Sequence, residues 1–357
     1  MKEISRILGE GIDGGLFQAA TFRAFDRDKT LLEVAAGGCA VSSIFDIASI
    51  TKVFTALIFA RLQARGVVRA EDRLRDLDCV EPPADKGDIT LLSLLAHTSG
   101  LPGYVPFYRL FAGEGGAIEP AGRSEAYGRV VAEIMDTPLM SLPLESIRYS
   151  DPGYILLGFI VEQLAGTSLD QLMEELVTAP AGLADTCFRP LGRYHECETG
   201  RFVSSGACPH RSREVVGEVE DMNCYVLGGV SGHAGLFSTA YDLEKLGREI
   251  IRARSGQSGV FDAGEAAFLL REERDARGSR RRVGFDVPSG AGSLAGRYFS
   301  EDSAGHLGFT GVSVWLDLAK ETGMVLLANR VYRNGDREEF NGLRRRVHDA
   351  AWELLAS

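Results

Sequence analysis

Cysteine is scarce in this sequence of 357 residues, and both an excess of positive charge and long apolar runs are missing. Its 6 cysteines are spread too thinly for a disulfide scaffold, so we expect reduced thiols. No apolar run approaches the ~20 residues of a transmembrane helix, so no membrane contact is predicted. The 50 acidic residues exceed the 39 basic ones, and the net charge of −11 argues against a broad nucleic-acid-binding face.

The N-terminal residues also lack the charged-then-apolar pattern of a secretory signal. Instead Ile4, Ile7, Leu8 and Ile12 recur at helical spacing, which predicts an amphipathic helix packed on the body of the protein. With reduced cysteines, this pattern predicts a cytoplasmic protein. Three cysteines and two histidines lie close together in the sequence, but their spacing matches no zinc site, so neither a metal nor a cofactor is expected: Cys187, His195, Cys197, Cys208 and His210.

Both ends of the chain carry β patterns next to a helix. Apolar and polar residues alternate over 18–41 around a turn at 26–28, which predicts a β-hairpin. Near the other end, alternation over Phe309–Leu316 and a return over Met324–Ala328 predict a second hairpin. The last helix is predicted from one apolar stripe, formed by Leu343, Val347, Ala351 and Leu354.

The middle of the chain reads as helical patches separated by proline and glycine. We therefore expect an α+β fold in which residues 1–68 and 240–357 build one antiparallel sheet flanked by the terminal helices. Residues 69–239 would form a mainly helical lobe, with the active site between the two parts. The polar segment 189–223 is a candidate loop over a binding site. Helices are predicted at 91–96, 124–135, 153–164, 169–177 and 242–252.

The strongest local motif is Ser49-Ile50-Thr51-Lys52 at the start of a predicted helix, 49–65. Residues three apart on a helix share a face, so the lysine can reach the serine hydroxyl. Burial and the helix dipole would lower the lysine pKa and make Lys52 a useful base. The alternative is a capping serine followed by a surface lysine.

A second motif is Tyr149-Ser150-Asp151, which precedes a predicted helix. A phenol beside a lysine can relay protons between a nucleophile and a leaving group. The alternative is a tyrosine that packs against a helix start capped by Asp151. Tyr332-Arg333-Asn334 has a similar pattern at a strand exit and is a weaker candidate.

The third motif is His306-Leu307-Gly308-Phe309, directly before the alternating strand. A donor side chain and a glycine at a strand edge can present a backbone N–H to an oxyanion. Two competing strings lack strand context in this interpretation, 233–235 and 245–247.

In this order, the three motifs resemble those of the penicillin-recognising serine hydrolases: serine β-lactamases, DD-peptidases and related esterases. The class C β-lactamase-like branch is the most similar. The resemblance extends from Phe45 to about Arg330, with supporting stretches at 45–49, 94–102, 228–239 and 308–311.

This resemblance implies a β-lactamase/transpeptidase-like fold and a role for each motif. Ser49 would be the acylated nucleophile, Lys52 its base or proton partner, and Tyr149 the second acid/base. The backbone N–H groups of Ser49 and Phe309 would form the oxyanion hole. The remaining motif residues would bind substrate: Asp151, His306 and Gly308.

Two departures from the family pattern bear on the substrate. Asp151 stands where β-lactamases usually have asparagine, so a donor amide is replaced by an acceptor-only carboxylate. His306 replaces a lysine and is a weaker cation, with an expected activity limb near its reference pKa of about 6.5. Both changes weaken the expected grip on a substrate carboxylate and favour esters, amides or small cyclic substrates.

The sequence therefore predicts a serine hydrolase that acts through an acyl-enzyme on a small-molecule ester, amide or β-lactam. Two alternatives stay open: a D-alanyl-D-alanine-type carboxypeptidase or penicillin-binding protein, and a catalytically silent binding relative. An α/β-hydrolase is disfavoured, because no Gly-x-Ser-x-Gly elbow occurs. The oligomeric state is left open.

Overall fold

A computed structural model describes residues 1–113, 117–192 and 200–356. The helices are α1 Lys2–Asp13, α2 Thr51–Ala64, α3 Leu91–Leu95, α4 Arg123–Asp136, α5 Asp151–Ala165, α6 Leu169–Met173, α7 Met222–Val226, α8 Ala240–Arg254, α9 Ala263–Leu269 and α10 Arg337–Leu355. The strands are β1 Ala19–Asp26, β2 Thr30–Gly37, β3 Phe45–Asp46, β4 Cys187–Phe188, β5 Gly206–Cys208, β6 Arg213–Val215, β7 Leu236–Ser238, β8 Glu272–Arg274, β9 Arg280–Arg282, β10 Ser303–Gly308, β11 Val312–Asp317 and β12 Thr322–Ala328.

The central sheet joins the two ends of the chain. Its five strands are antiparallel in the order β10-β11-β12-β1-β2, and Ala20 on β1 pairs with Ala328 on β12. The first hairpin is closed by the Asp26 side chain, which accepts hydrogen bonds from the backbone N–H groups of Asp28 and Lys29, each at 2.8 Å. The hairpin predicted over 18–41 is confirmed, and so is the pairing of N- and C-terminal strands.

The two terminal helices cover one face of this sheet. Ile7 of α1 and Val347 of α10 are buried in one apolar cluster with Phe22 and Leu326 of the sheet. Both helices have their apolar residues on one stripe, so burying that stripe against the sheet satisfies their amphipathic pattern. Leu354 is 36% exposed and lies off the buried part of the predicted stripe.

The opposite face of the sheet carries α8, and α9 packs against both α8 and α2. Helix α2 is apolar almost all round, as expected for a helix surrounded by protein. Val53 and Leu57 of α2 share one buried cluster with Leu156 of α5 and with Val325 of the sheet. The predicted α+β class is confirmed, while the division into lobes at 68/69 and 239/240 stays a prediction.

Three local predictions need correction. The strand predicted to start at Phe309 starts at Val312, because residues 309–311 form a turn in which Gly311 has φ of +110°. His306 does precede that strand, but it lies inside a further strand that was not predicted, β10, at the edge of the sheet. Residues 236–238, which follow His233, form β7 and pair with β3 and β4, so this segment does have strand context.

The long segment 189–223 contains the short hairpin β5–β6 in its described part. None of the helices in the described ranges is both long enough and apolar enough to cross a bilayer.

Candidate active site

Ser49 lies in the turn that leads into α2. It is partly exposed, whereas its neighbours Ala48 and Ile50 are buried. Ala48 has φ of +45°, a conformation uncommon for a residue with a side chain, and Asp46 holds the turn by accepting the Ala48 N–H at 2.8 Å. Burial raises the pKa of Asp46 to about 6. The turn thus presents the Ser49 hydroxyl from an otherwise buried segment.

Lys52 lies one turn further along and is fully buried. Its ammonium donates to Ser49 Oγ at 3.1 Å and to the backbone carbonyl of His233 at 2.9 Å, and it lies 2.8 Å from Asp151 Oδ1. The Ser49 and His233 contacts are hydrogen bonds, and the Asp151 contact is an ion pair. The predicted contact between Ser49 and Lys52 is therefore present.

The charge state of Lys52 differs from the sequence prediction. Burial alone lowers the Lys52 pKa, but the Asp151 carboxylate and the Tyr149 oxygen outweigh burial, so this pKa lies above its usual value. Sequence reasoning predicted a lowered pKa because it counted burial and the helix dipole without Asp151. Asp151 also differs from its predicted role, since it is an ion-pair partner of Lys52 rather than a free substrate contact.

Tyr149 completes the group. Its phenol oxygen interacts with Ser49 and Lys52, and the Lys52 ammonium lies 4.9 Å from the ring centre. Burial, supported by Asp151, raises the pKa of the phenol despite the nearby Lys52 charge. The structure therefore brings Ser49, Lys52 and Tyr149 together as predicted, with Tyr149 as a neutral phenol.

His97 is a positioning residue that sequence reasoning missed. Its ring lies between the rings of Tyr149 and Tyr154, with centroids 4.7 and 5.0 Å away. Its Nδ1 accepts the backbone N–H of Ser150 at 3.0 Å, which fixes the loop that carries Tyr149 and Asp151. The backbone of His97 has φ of +59°. The stretch 94–102 supported the family resemblance, but no pattern there indicated this contact.

The end of β10 packs directly against the Ser49 turn. A Cβ at Gly308 would lie 2.9 Å from the Ile47 carbonyl oxygen and 3.2 Å from Ala48 Cβ, so this approach requires glycine. Thr310 donates to the backbone carbonyl of Asp46 at 2.9 Å and ties the following turn to the same segment. Phe309, between these anchors, is 56% exposed beside the Ser49 turn, consistent with the predicted backbone role.

His306 cannot act as the cation that the sequence predicted. It is buried, and its Nδ1 bonds to the Leu307 carbonyl at 2.8 Å. Burial, together with the charges of Arg281 and Lys52, lowers its pKa well below the usual value of 6.5. This lowered pKa favours the neutral imidazole and argues against an anion-binding limb near 6.5, while the substrate-binding role of His306 stays a prediction.

Arg281 of β9 is a second residue that sequence reasoning missed. It is buried, pairs with Asp286 at 2.5 Å, and its guanidinium carbon lies 5.5 Å from the Tyr149 ring centre. Its Nε and Nη2 atoms are buried with no hydrogen-bond partner among the described residues. A run of three arginines is typical of a solvated strand, so no pattern around Arg281 indicated a buried cation.

The surroundings of Ser49 are acidic. Asp221 lies close enough to Lys52 for the Lys52 charge to help lower the Asp221 pKa. Burial, together with the charges of Asp221 and Asp46, raises the pKa of Glu220 to about 7. The half-exposed Tyr104 lies within range of the same carboxylates. Within the described ranges, no three His, Cys, Asp or Glu side chains cluster as metal ligands, and His195 and Cys197 lie outside those ranges.

Comparison with known proteins agrees with this arrangement. A family model described as Beta-lactamase matches residues 5–349. The chain is 30% identical over 310 residues to a candidate D-alanyl-D-alanine carboxypeptidase of Escherichia coli (strain K12), covering 81% of this chain and 69% of that protein. It is also 30% identical over 315 residues to an N-acetylmuramyl-L-alanine amidase of Bacillus subtilis (strain 168), covering 81% and 68%. The solved structure of EstCE1, a hydrolase with promiscuous acyltransferase activity, matches with a TM-score of 0.74 at 19% identity over 97% of this chain and 98% of that one.

The chain therefore belongs to the β-lactamase family and has its β-lactamase/transpeptidase-like fold. It is a serine hydrolase that acts on small molecules, which confirms the class predicted from the sequence.

Proposed function

We propose that the protein hydrolyses esters or amides through an acyl-enzyme formed on Ser49. The observation that carries this proposal is the set of contacts of the buried Lys52 ammonium, which donates to Ser49, forms an ion pair with Asp151 and lies beside Tyr149. The backbone N–H groups of Ser49 and Phe309 would stabilise the oxyanion.

The resting charges suggest how protons move in this mechanism. Lys52 starts as an ammonium, so it would first pass a proton to Asp151 and then, as the neutral amine, take the proton of Ser49. Ser49 Oγ then bonds to the carbonyl carbon, and the bond to the leaving group breaks as Tyr149 donates a proton to it. Asp151 returns its proton to Tyr149 through Lys52. In deacylation water replaces Ser49 as the nucleophile and gives up a proton to the same relay, Ser49 Oγ leaves with a proton, and Lys52 ends as an ammonium again.

The electrostatics favour substrates without a carboxylate near the scissile bond. Penicillins and peptide C-termini carry such a group, and an accessible cation would be needed to hold it. Here Lys52 is paired with Asp151, Arg281 is buried against Asp286, and His306 is neutral. We therefore rank ester or amide hydrolysis above β-lactam hydrolysis.

A substrate panel tests this ranking. Purified protein would be assayed with p-nitrophenyl acyl esters, nitrocefin and D-alanyl peptides, and covalent labelling by a fluorophosphonate would be read by intact mass. We expect labelling at Ser49 and ester turnover above nitrocefin turnover in kcat/KM. Ser49→Ala should abolish both labelling and turnover, while Ser5→Ala, at an exposed serine of α1, should change neither.

Two other functions give different results in the same panel. A D-alanyl-D-alanine carboxypeptidase is favoured by the Escherichia coli relative, and it would show preferential release of D-alanine. A silent binding relative would show neither labelling nor turnover.

A cytoplasmic location is a further proposal, supported by five free thiols among the described residues: Cys39, Cys79, Cys187, Cys208 and Cys224. Cell fractionation would test it.

A further inference from the structure

The segment that supplies the His233 carbonyl to Lys52 is held by its own hydrogen-bond network. His233 is buried and uses both ring nitrogens: Nδ1 lies 2.9 Å from Ser231 Oγ, and Nε2 lies 3.0 Å from Asp221 Oδ1. The same Asp221 oxygen accepts the Cys224 N–H at 2.7 Å as the cap of α7. Hydrogen bonds through Asp221 thus link helix α7 to the His233 ring, and the backbone carbonyl of the same residue accepts from Lys52.

The direction of each hydrogen bond follows from the Asp221 charge. His233 and Lys52 hold the pKa of Asp221 below its usual value despite its burial, so this carboxylate is ionised and only accepts. His233 Nε2 therefore carries a proton. Nδ1 lies 2.9 Å from the Ser231 hydroxyl, so both ring nitrogens have partners and the orientation of the ring is fixed.

The flanks of the segment are fastened to the helix that carries Lys52. Thr55 donates to the Gly232 carbonyl at 2.8 Å, and the Leu236 N–H donates to Thr51 Oγ1 at 3.2 Å. Between these two anchors, the peptide that accepts from Lys52 is oriented through the His233 side chain. A backbone carbonyl cannot rotate independently, so its orientation sets the direction of the ammonium.

We propose that His233 and Asp221 form a positioning pair that aims the His233 carbonyl at Lys52 and thereby keeps the ammonium on Ser49. This role rests on the proposed function of Ser49 and Lys52. His233 is not a catalytic residue here, because its ring is engaged by Ser231 and Asp221.

The other charged or titratable groups around Lys52 predict how the Lys52 pKa would change if His233 or Asp221 were substituted. Asp151 and Tyr149 raise its pKa, and the neutral rings of His97 and His306 lie within range of its charge. These groups stay in place when the pair is changed. Loss of a well-aimed carbonyl removes one acceptor of the ammonium form, and Asp221→Asn also removes a nearby negative charge. Both changes should lower the Lys52 pKa.

The test compares His233→Gln and Asp221→Asn with His348→Gln. His348 is an equally buried histidine on α10, and its ring contacts the Ala295 carbonyl and the Ser313 hydroxyl rather than the Lys52 group. With [13Cε]-lysine labelling, the 6 lysines give few signals, and the Lys52 signal is the one lost in Lys52→Met. Asparagine keeps the α7 cap, so Asp221→Asn remains informative if His233→Gln fails to fold.

We expect both variants at the pair to lower the NMR-measured pKa of Lys52 by about half a unit or more. They should lower kcat about 10- to 100-fold with KM within about twofold, after correction for the fluorophosphonate-reactive fraction. His348→Gln should change neither quantity. An unchanged Lys52 pKa and kcat in both variants would overturn the positioning role. The NMR titration needs no substrate, so it remains decisive even if Ser49→Ala shows that the proposed hydrolysis is wrong.

Discussion

The ion pair between Lys52 and Asp151 predicts an asymmetric effect on stability. Asp151→Ala leaves a fully buried ammonium without its carboxylate, whereas Lys52→Met leaves a carboxylate whose side chain is 17% exposed. Breaking a buried pair costs about 3–5 kcal/mol, because the remaining charge is uncompensated. Ser49 and His233 still accept from Lys52, and water can enter beside the partly exposed position. We therefore expect Asp151→Ala to cost about 3 kcal/mol in unfolding free energy and Lys52→Met to cost less.

The stability lost in Asp151→Ala cannot exceed the free energy of deprotonating Lys52, because the unpaired ammonium can release its proton. Neutralising a lysine of reference pKa about 10.4 costs about 4.6 kcal/mol at pH 7 and about 1.9 kcal/mol at pH 9. In Asp151→Ala the folded state holds the Lys52 proton less tightly than the unfolded chain does. Its stability should then rise with pH up to the unfolded pKa, and its deficit against the wild type should narrow between pH 7 and pH 9.

A double-mutant cycle in chemical denaturation measures this effect. In the Lys52→Met background, Asp151→Ala should cost only its helix-dipole contribution of about 0.3–1 kcal/mol, giving a coupling of about 2 kcal/mol or more. Glu125→Ala, at an exposed acid in the first turn of α4, is the matched control for that contribution. An equal cost of Asp151→Ala in both backgrounds would refute the reasoning.

Three further predictions follow from the site. Tyr149→Phe should lower kcat/KM for an ester about 10²- to 10⁴-fold with the fold retained, and near-wild-type rates would contradict the acid/base role. Gly308→Ala would place a Cβ 2.3 Å from Val312 Cγ2, so it should lower the unfolding free energy by about 1–3 kcal/mol and remove most activity. Gly9→Ala adds a Cβ in open space and should leave stability and activity unchanged. His306 is held neutral by burial, so folded protein loses stability as pH falls from about 7 to 5. His306→Gln should reduce that loss in denaturation curves, and identical pH profiles would argue against it.

Much of the fold could be predicted because its signals are local. The first hairpin depends on Asp26 and a period of two, and the terminal helices depend on single apolar stripes such as the one through Val347. The contact between Ser49 and Lys52 is equally local, since it depends on helical spacing alone. By contrast, the turn at 309–311 interrupts an alternating pattern for a tertiary reason, because Gly311 must approach Arg330 and Ala328.

The electrostatics of the site could not be predicted, because they depend on groups distant in sequence. The sign of the Lys52 pKa shift reverses once Asp151, about a hundred residues later, lies 2.8 Å away. His306 loses its expected charge because β10 buries it within range of Arg281. Neither effect has a signature in the residues around the motif itself.

Asp151 connects the two departures from the usual family pattern. As a carboxylate it keeps Lys52 charged, so the proton from Ser49 needs a second acceptor, which Asp151 itself provides at 2.8 Å. An asparagine in this position could donate to a substrate carbonyl but could not accept that proton. The carboxylate also adds negative charge where Asp221 and Glu220 already make the surroundings acidic. Under the proposed function, this one departure would supply a proton acceptor and disfavour anionic substrates, so catalysis and substrate choice would change together.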